Sequence, residues 1–344
     1  MARFTTRRPA FLPSFLSALA ATAVLTTACS GPGGVDLGND WKGSTTFVLA
    51  KVDGLVTVVG INPDKARAQS LAVVPQQSDD DDSVSPQIVQ LADGRWLLTV
   101  PRKGGKPDRR YEVDRKEKTL AGMTGDERLR KVLPGKTYVA EVAGLPDTGS
   151  GKQSSVLVKD PAHWTAKREL KIPGTIGLAA SDPASDTVCL AGGTKAYAAG
   201  MTNREVTDVS VPSGLDVSAL ACPSGRPVLV GSASGGSGAV KASLKREANA
   251  TTVSVTGGRV DAVTATAGST LLVAVATGDD TEILELDATT GEELHRVKVK
   301  DVAASLDIRP TRAGWLLYTE NDVTRVTSKG AAKTFGLPGT LLDS

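Results

Sequence analysis

The chain has 344 residues, with 40 Lys and Arg against 38 Asp and Glu, 40% hydrophobic residues and only 4% aromatic ones. Three of the cations, Arg3, Arg7 and Arg8, fall in the first 28 residues, which leaves 37 against 38 and a net charge near −1 for the rest. A near-neutral body carries no electrostatic footprint for nucleic acid, and the abundance of Val, Ala, Thr and Gly favours strands and turns over long helices.

The first element in chain order is a leader. Arg3, Arg7 and Arg8 precede an apolar stretch over 11–25 that Pro13 and small residues interrupt. It is shorter than the roughly 20 residues of a membrane-spanning helix and reads as a cleaved signal. Leu25-Thr26-Thr27-Ala28-Cys29 resembles the lipobox of bacterial lipoproteins, with Thr26 at the place that is usually aliphatic. The resemblance implies a signal peptide over 1–28, lipidation at Cys29 and a lipid-anchored flexible linker over 29–42. Two or more acyl chains suffice for stable membrane anchoring. The alternative is an ordinary secretory signal cut near Ala28 that leaves Cys29 free. Thr6-Arg7-Arg8 with Phe11-Leu12 also resembles a twin-arginine export signal, although Pro9-Ala10 disturbs its spacing.

Beyond the linker, over 43–344, a turn containing Gly, Asp or Pro repeatedly precedes a short dense β-type run. The runs are Phe47-Val48-Leu49-Ala50, Trp96-Leu97-Leu98-Thr99, Tyr138-Val139-Ala140-Glu141, Val188-Cys189-Leu190-Ala191, Val228-Leu229-Val230-Gly231, Leu271-Leu272-Val273-Ala274 and Trp315-Leu316-Leu317-Tyr318. Their spacing of 40 to 50 residues predicts an all-β fold, a β-propeller of seven blades, each a four-stranded antiparallel sheet. The sixth repeat parses fully. Its inner strand covers 260–265, followed by strands over 271–276, 282–287 and 293–299, and the same order is expected over 217–255 and 304–335. Inner strands are expected to be apolar on both faces, because neighbouring blades sandwich them. In the outer strand Val297 and Val299 face inward while Arg296, Lys298 and Lys300 face out. The first repeat lacks an inner strand, and Gly339-Thr340-Leu341-Leu342 is expected to supply it, closing the ring without a free sheet edge. The structural rival is a two-domain β arrangement broken around 144–151.

Within the sixth repeat, Ile283-Leu284-Glu285-Leu286-Asp287-Ala288-Thr289-Thr290-Gly291-Glu292-Glu293-Leu294 resembles the blade signature of WD-repeat and quinoprotein-like propellers. In enzymes of the quinoprotein family a Trp follows the turn and docks on its neighbour, whereas His295 stands in that place here. The adjacent-cysteine pair of the cofactor-binding alcohol dehydrogenases is missing, so no quinone and no other cofactor is expected. The general plan is similar to the surface lipoprotein propellers of high-GC Gram-positive bacteria. That resemblance bears on fold and address, not on activity.

Cys189 and Cys222 form an even pair outside the reducing cytosol and are expected to be disulfide-bonded, with two buried thiols as the alternative. No local signature links either to His163 or His295, so neither reads as a catalytic thiol. Asp79-Asp80-Asp81-Asp82 has no glycine for a tight cation-binding turn and reads as a solvated loop. The basic stretch 102–118 reads as a hairpin with water-facing cations; contact with anionic headgroups or wall polymers is the alternative. Trp96 and Trp315 follow Gly94 and Gly314 and read as packing between blades, with a ligand-binding mouth as the alternative. His163-Trp164 reads as a loop with at most a carbohydrate-stacking ring. No phosphate loop, zinc-spaced set or serine elbow is present, so no catalytic or metal residues are expected.

These readings lead to a monomeric domain on the outer face of the cell membrane, held there by its lipid anchor. It is expected to serve as a non-enzymatic binding or scaffold module for an envelope protein or an extracellular ligand. The alternative is a hydrolase or lyase acting on cell-wall or other polysaccharide at the channel mouth, which needs a convergent carboxylate pair.

Overall fold

Each of the seven apolar runs becomes the second strand of a separate sheet. These strands are Thr46–Val52, Trp96–Val100, Val139–Ala143, Thr187–Gly192, Val228–Ser232, Thr270–Thr277 and Gly314–Tyr318, and they mark blades 1 to 7. The computed structural model describes residues 35–36, 41, 43–75, 77–80, 85–114, 119–123, 131–143, 153–213, 215–233, 239–247, 250–266 and 269–344. The leader and Cys29 lie outside the described residues. Second strands have a strand on each edge and a blade over each face. All five residues of Trp96–Val100 are accordingly buried, and the run is continuously apolar rather than alternating.

The innermost strands behave differently from expectation. Leu178–Asp182 and Arg259–Ala265 bury only some of their residues, because these strands line an open central channel. In the outer strand Glu293–Val299 the expected alternation holds, with Val297 and Val299 buried and Lys298 exposed. The rival two-domain division is not what forms. Val139–Ala143 pairs with Gln153–Lys159 in the same blade, so the strands on either side of that point belong to one sheet.

Six sheets are antiparallel throughout, and blade 5 departs in one pair. There the chain runs from Val228–Ser232 to the outermost strand Lys241–Glu247. It then returns as Ala250–Thr256 between the two, parallel to Val228–Ser232. The expected strand order over 217–255 is therefore wrong in its last two members. The linker reading also changes within the described residues: Val35–Asp36 adds a fifth strand to blade 2 against Thr119 and Leu120, and Trp41 packs on the core shared by blades 1 and 2.

The hydrophobic core is divided into seven clusters, one at every blade interface. A blade alone would expose both of its apolar faces, so stability belongs to the ring. The two smallest clusters carry reinforcement of another kind. Between blades 2 and 3, among the described residues, Leu91, Leu97, Val132 and Val139 alone form the buried cluster, and Glu141 there binds Arg110 at 2.6 Å and Lys159 at 3.1 Å, all three side chains 1% exposed. Between blades 4 and 5 the cluster includes Cys189 and Cys222, which are disulfide-bonded with Cα atoms 5.5 Å apart.

The ring closes as expected. Thr340–Asp343 pairs antiparallel with Thr46–Val52 as the inner strand of blade 1. Its entry is fixed from blade 7, where the Leu337 and Leu341 N–H groups donate to the Asn321 and Glu320 carbonyls. No helix among the described residues is long and apolar enough to cross a membrane.

Candidate functional site

Inner strands from all seven blades converge on a central cavity of about 810 Å³. Most of its wall is small and neutral, as with Ala179, Ser181, Ala221, Thr264 and Ala265. Charge is concentrated on one side, in Lys131 of blade 3, Asp307 and Arg309 of blade 7, and Asp343 of blade 1. Alternation explains the Asp307 and Arg309 pair: two positions apart on Asp307–Thr311, they share a side of the strand.

Each charged group has a defined anchor. Arg309 Nε donates to Asp307 Oδ2 at 3.0 Å, and the Ser344 hydroxyl donates to the same oxygen at 2.8 Å. Burial works against the Arg309 charge, but Asp307, with Tyr318 and Asp343, keeps its affinity for a proton above the ordinary value. The guanidinium carbon also lies 5.7 Å from the Trp96 ring centre, a cation–π contact that reaches to blade 2. Asp343 Oδ2 accepts the Ile88 N–H at 2.6 Å. Burial of its carboxyl among protein atoms pushes the pKa of Asp343 up to about 7; Asp307 adds to the rise, while Ile88 N–H, Arg309 and Lys131 oppose it. Lys131 Nζ donates to the Ala179 carbonyl at 3.0 Å, and crowding lowers its pKa against the pull of Asp343 and Asp307.

Two further polar atoms stand beside this cluster. The Trp96 indole N–H and the Tyr318 hydroxyl are buried and have no hydrogen-bond partner among the described residues. Burial also raises the Tyr318 pKa, so its phenol stays neutral. The arrangement offers two basic side chains, a carboxyl paired with Arg309, a second carboxyl that titrates near neutrality and an aromatic edge. That set suits a small polar ligand with both donor and acceptor groups.

The residues singled out from the sequence distribute as follows. Trp96 packs edge-on against Phe47 with ring centres 5.5 Å apart, the packing role expected of it, and it also borders the channel. Trp315 packs between blades 6 and 7, and His295 lies over it with ring centres 5.5 Å apart. Trp164 turns inward onto the small cluster between blades 2 and 3, 5.9 Å from the Arg110 guanidinium, and is not a free stacking platform. His163 is exposed beside Asp160. The acidic and basic runs, solvated on the sequence pattern alone, are each partly buried in the fold. Asp80 is buried and ion-paired with Arg109, which also donates to the Pro75 carbonyl, while Arg110 is buried against Glu141. Asp81, Asp82 and residues 115–118 lie outside the described residues.

Asp307, Arg309, Lys131 and Asp343 were not anticipated as a group. The only signal available was an Asp-Ile-Arg alternation at an inner-strand start and an acid in the closing tail. Neither says that the two meet.

No protein-family model matches the chain, and no curated protein matches it. Solved structures with a related fold include the WD40 domain of Pan2 from Neurospora crassa, at 10% identity and a TM-score of 0.49, covering 78% of this chain and 85% of that one. A chain of a nidogen/laminin complex shows 9% identity and a TM-score of 0.47 over 86% of this chain and 96% of that one. Hsv2 of Kluyvelomyces marxianus shows 15% identity and a TM-score of 0.40 over 74% and 73%. At these identities and scores the likenesses carry no functional weight, and the propeller assignment rests on the strand pairing above.

Proposed function

We propose that this protein is a lipid-anchored extracytoplasmic binding module whose central channel takes a small polar ligand. The observation that carries the reading is the cavity itself. Its volume of about 810 Å³ falls within the roughly 300–1,000 Å³ of small-molecule sites, and charged side chains from three blades converge there beside Trp96. A recess of that size favours an extracellular small molecule over an envelope protein as the occupant. The lipobox-like segment ending at Cys29 supports the address. Native mass spectrometry of the full chain tests the occupant. Wild type is expected to retain a small molecule, or to be stabilised by members of a panel of polar metabolites. Thr264→Trp, which fills the channel wall, is expected to abolish either effect. A wild type that carries and responds to nothing would sink the reading. For the anchor, Cys29→Ala is expected to move the protein from the membrane to the medium, and undiminished membrane retention counts against lipidation.

One observation favours the polysaccharide-cleaving alternative. Two carboxyl groups face the same cavity: Asp307, paired with Arg309 at 3.0 Å, and Asp343, whose pKa burial pushes up to about 7, into the range a general acid needs. Under that reading the protein releases reducing ends from cell-wall polysaccharide and Asp343→Asn removes the activity. Absence of release by wild type leaves the binding module alone.

A further inference from the structure

Blade 5 departs from the regular strand order, and that departure builds a second recess on the outside of the ring. Because Ala250–Thr256 runs parallel to Val228–Ser232, Thr251 lies beside Val228, and Arg246 of the outermost strand lies beside Thr251. The first residues of Val228–Ser232 follow the loop 222–227, so Arg246 is carried to the same rim as Arg226 of that loop. A third strand running in the usual antiparallel sense would have started at the opposite end.

The loop holding Arg226 is fixed in place before any ligand arrives. Cys222 is bonded to Cys189 of blade 4, and Pro223 and Pro227 restrict the chain on either side. Ser224 adopts a left-handed conformation (φ 52°), a strained state for a residue with a side chain. Its hydroxyl lies 3.2 Å from that of Ser269 in blade 6. Gly225, at φ 70°, is pressed so close to blade 4 that a Cβ would stand 3.0 Å from Thr187 Oγ1.

Around this loop is a crevice of about 720 Å³ that contains Arg226 and Arg246, and no carboxylate is among the described residues that line it. Hydroxyls of Ser224, Thr251, Ser269 and Thr289 share its wall. Both arginines are exposed, and neither has an ion-pair partner among the described residues. Asp287 lies within electrostatic reach of Arg246, but its carboxylate is engaged by the Thr289 and Thr290 N–H groups. Two guanidiniums without an ion-pair partner among the described residues, in a recess whose described lining holds no acid, suit a phosphate, whose oxygens accept several charge-assisted hydrogen bonds. The row of hydroxyls suits a polyol or sugar frame attached to it.

We infer that the crevice built by the irregular fifth blade, between blades 4, 5 and 6, binds a phosphorylated sugar or polyol through Arg226 and Arg246. This site is separate from the channel and does not depend on the channel's occupant. Calorimetric titration of the full chain with glucose 1-phosphate, glycerol 3-phosphate, inorganic phosphate, glucuronate and glycerol tests it. The phosphorylated compounds are expected to bind at least tenfold tighter than glucuronate or glycerol. Arg226→Gln and Arg246→Gln are each expected to weaken them at least tenfold with unchanged melting temperature, whereas Lys171→Gln, an exposed cation of blade 3, has no effect. Binding that saturates with no phosphorylated probe, or that survives both arginine substitutions, overturns the proposal. Inorganic phosphate binding as tightly as both organic phosphates overturns the part assigned to the hydroxyls.

Discussion

Asp343 shows how a residue in an apparently plain tail acquires chemistry from its surroundings. Its carboxyl faces Arg309, Asp307, Lys131 and the Ile88 N–H, yet the cost of burying a charge outweighs the attraction of both cations, and its pKa sits at about 7. In the unfolded chain it titrates near 4. Between those values the unfolded chain releases the proton while the folded protein keeps it. The stability contributed by the neutral form is therefore whole below about pH 4, declines as pH rises, and is gone above about pH 7. The full span is worth at most about 4 kcal/mol, and water in the channel reduces it. Asp343→Asn keeps an acceptor for Ile88 and has no charge to bury. Its urea midpoint is expected to fall less than that of wild type between pH 4 and 8, with an advantage of about 1–3 kcal/mol at pH 8. Identical pH slopes for the two proteins refute this account. The half-buried Asp160, Asp280 and Asp287 and the exposed Asp208 titrate below their usual range, so their contribution is present at neutral pH and lost only as pH falls below it. Little of this residue-level electrostatics was legible beforehand. Asp80 and Arg109, or Arg110 and Glu141, are some thirty positions apart. A charge run looks solvated until the fold places its partner across a blade interface.

At the scale of single elements, legibility tracks burial. The second strands were visible because both of their faces are covered, which forces an unbroken apolar run such as Phe47 to Ala50. Turns with a demanding backbone were visible too. Gly291 at φ 77° ends the Asp287 turn of blade 6, and a Cβ there would come within 2.5 Å of Leu244, so glycine serves both the turn and the contact with blade 5. The order of strands in blade 5 was not visible, because alternation shows which face of a strand is buried and says nothing about its neighbour. The same blade carries the disulfide. Joining residues 33 positions apart across the small interface between blades 4 and 5 limits the unfolded chain by about 3–4 kcal/mol on the loop-entropy estimate. Replacing both cysteines, Cys189→Ala with Cys222→Ala, is expected to lower thermal stability by several degrees. Reductant is expected to lower wild type by a similar amount and to leave the double variant unchanged. A double variant as stable as wild type would mean that the apolar contacts around Leu220 and Leu229 hold this interface unaided.

For the whole molecule, stability is set by the weakest junction in a closed circle, and the seam of that circle is the C-terminal strand. Leu341 contributes to the cluster between blades 7 and 1, Asp343 reaches Ile88 of blade 2, and Ser344 reaches Asp307 of blade 7. The last five residues thus bind three consecutive blades, while their backbone covers one edge of Thr46–Val52. Removing residues 338–344 strips that edge and opens the cavity wall at the same time. An exposed edge of buried apolar residues is a template for pairing with another chain. The truncated protein is therefore expected to form concentration-dependent oligomers in size-exclusion chromatography and to lose cooperative unfolding, whereas the intact chain elutes as a single species. If the truncated chain stays monomeric and melts within a few degrees of wild type, the ring is held by its interblade clusters and not by its seam. In that case the channel groups contributed by Asp343 and Ser344 serve the site alone. Adding a synthetic peptide of residues 338–344 in trans separates the two roles, because a peptide that restores the monomer must do so by re-pairing with Thr46–Val52.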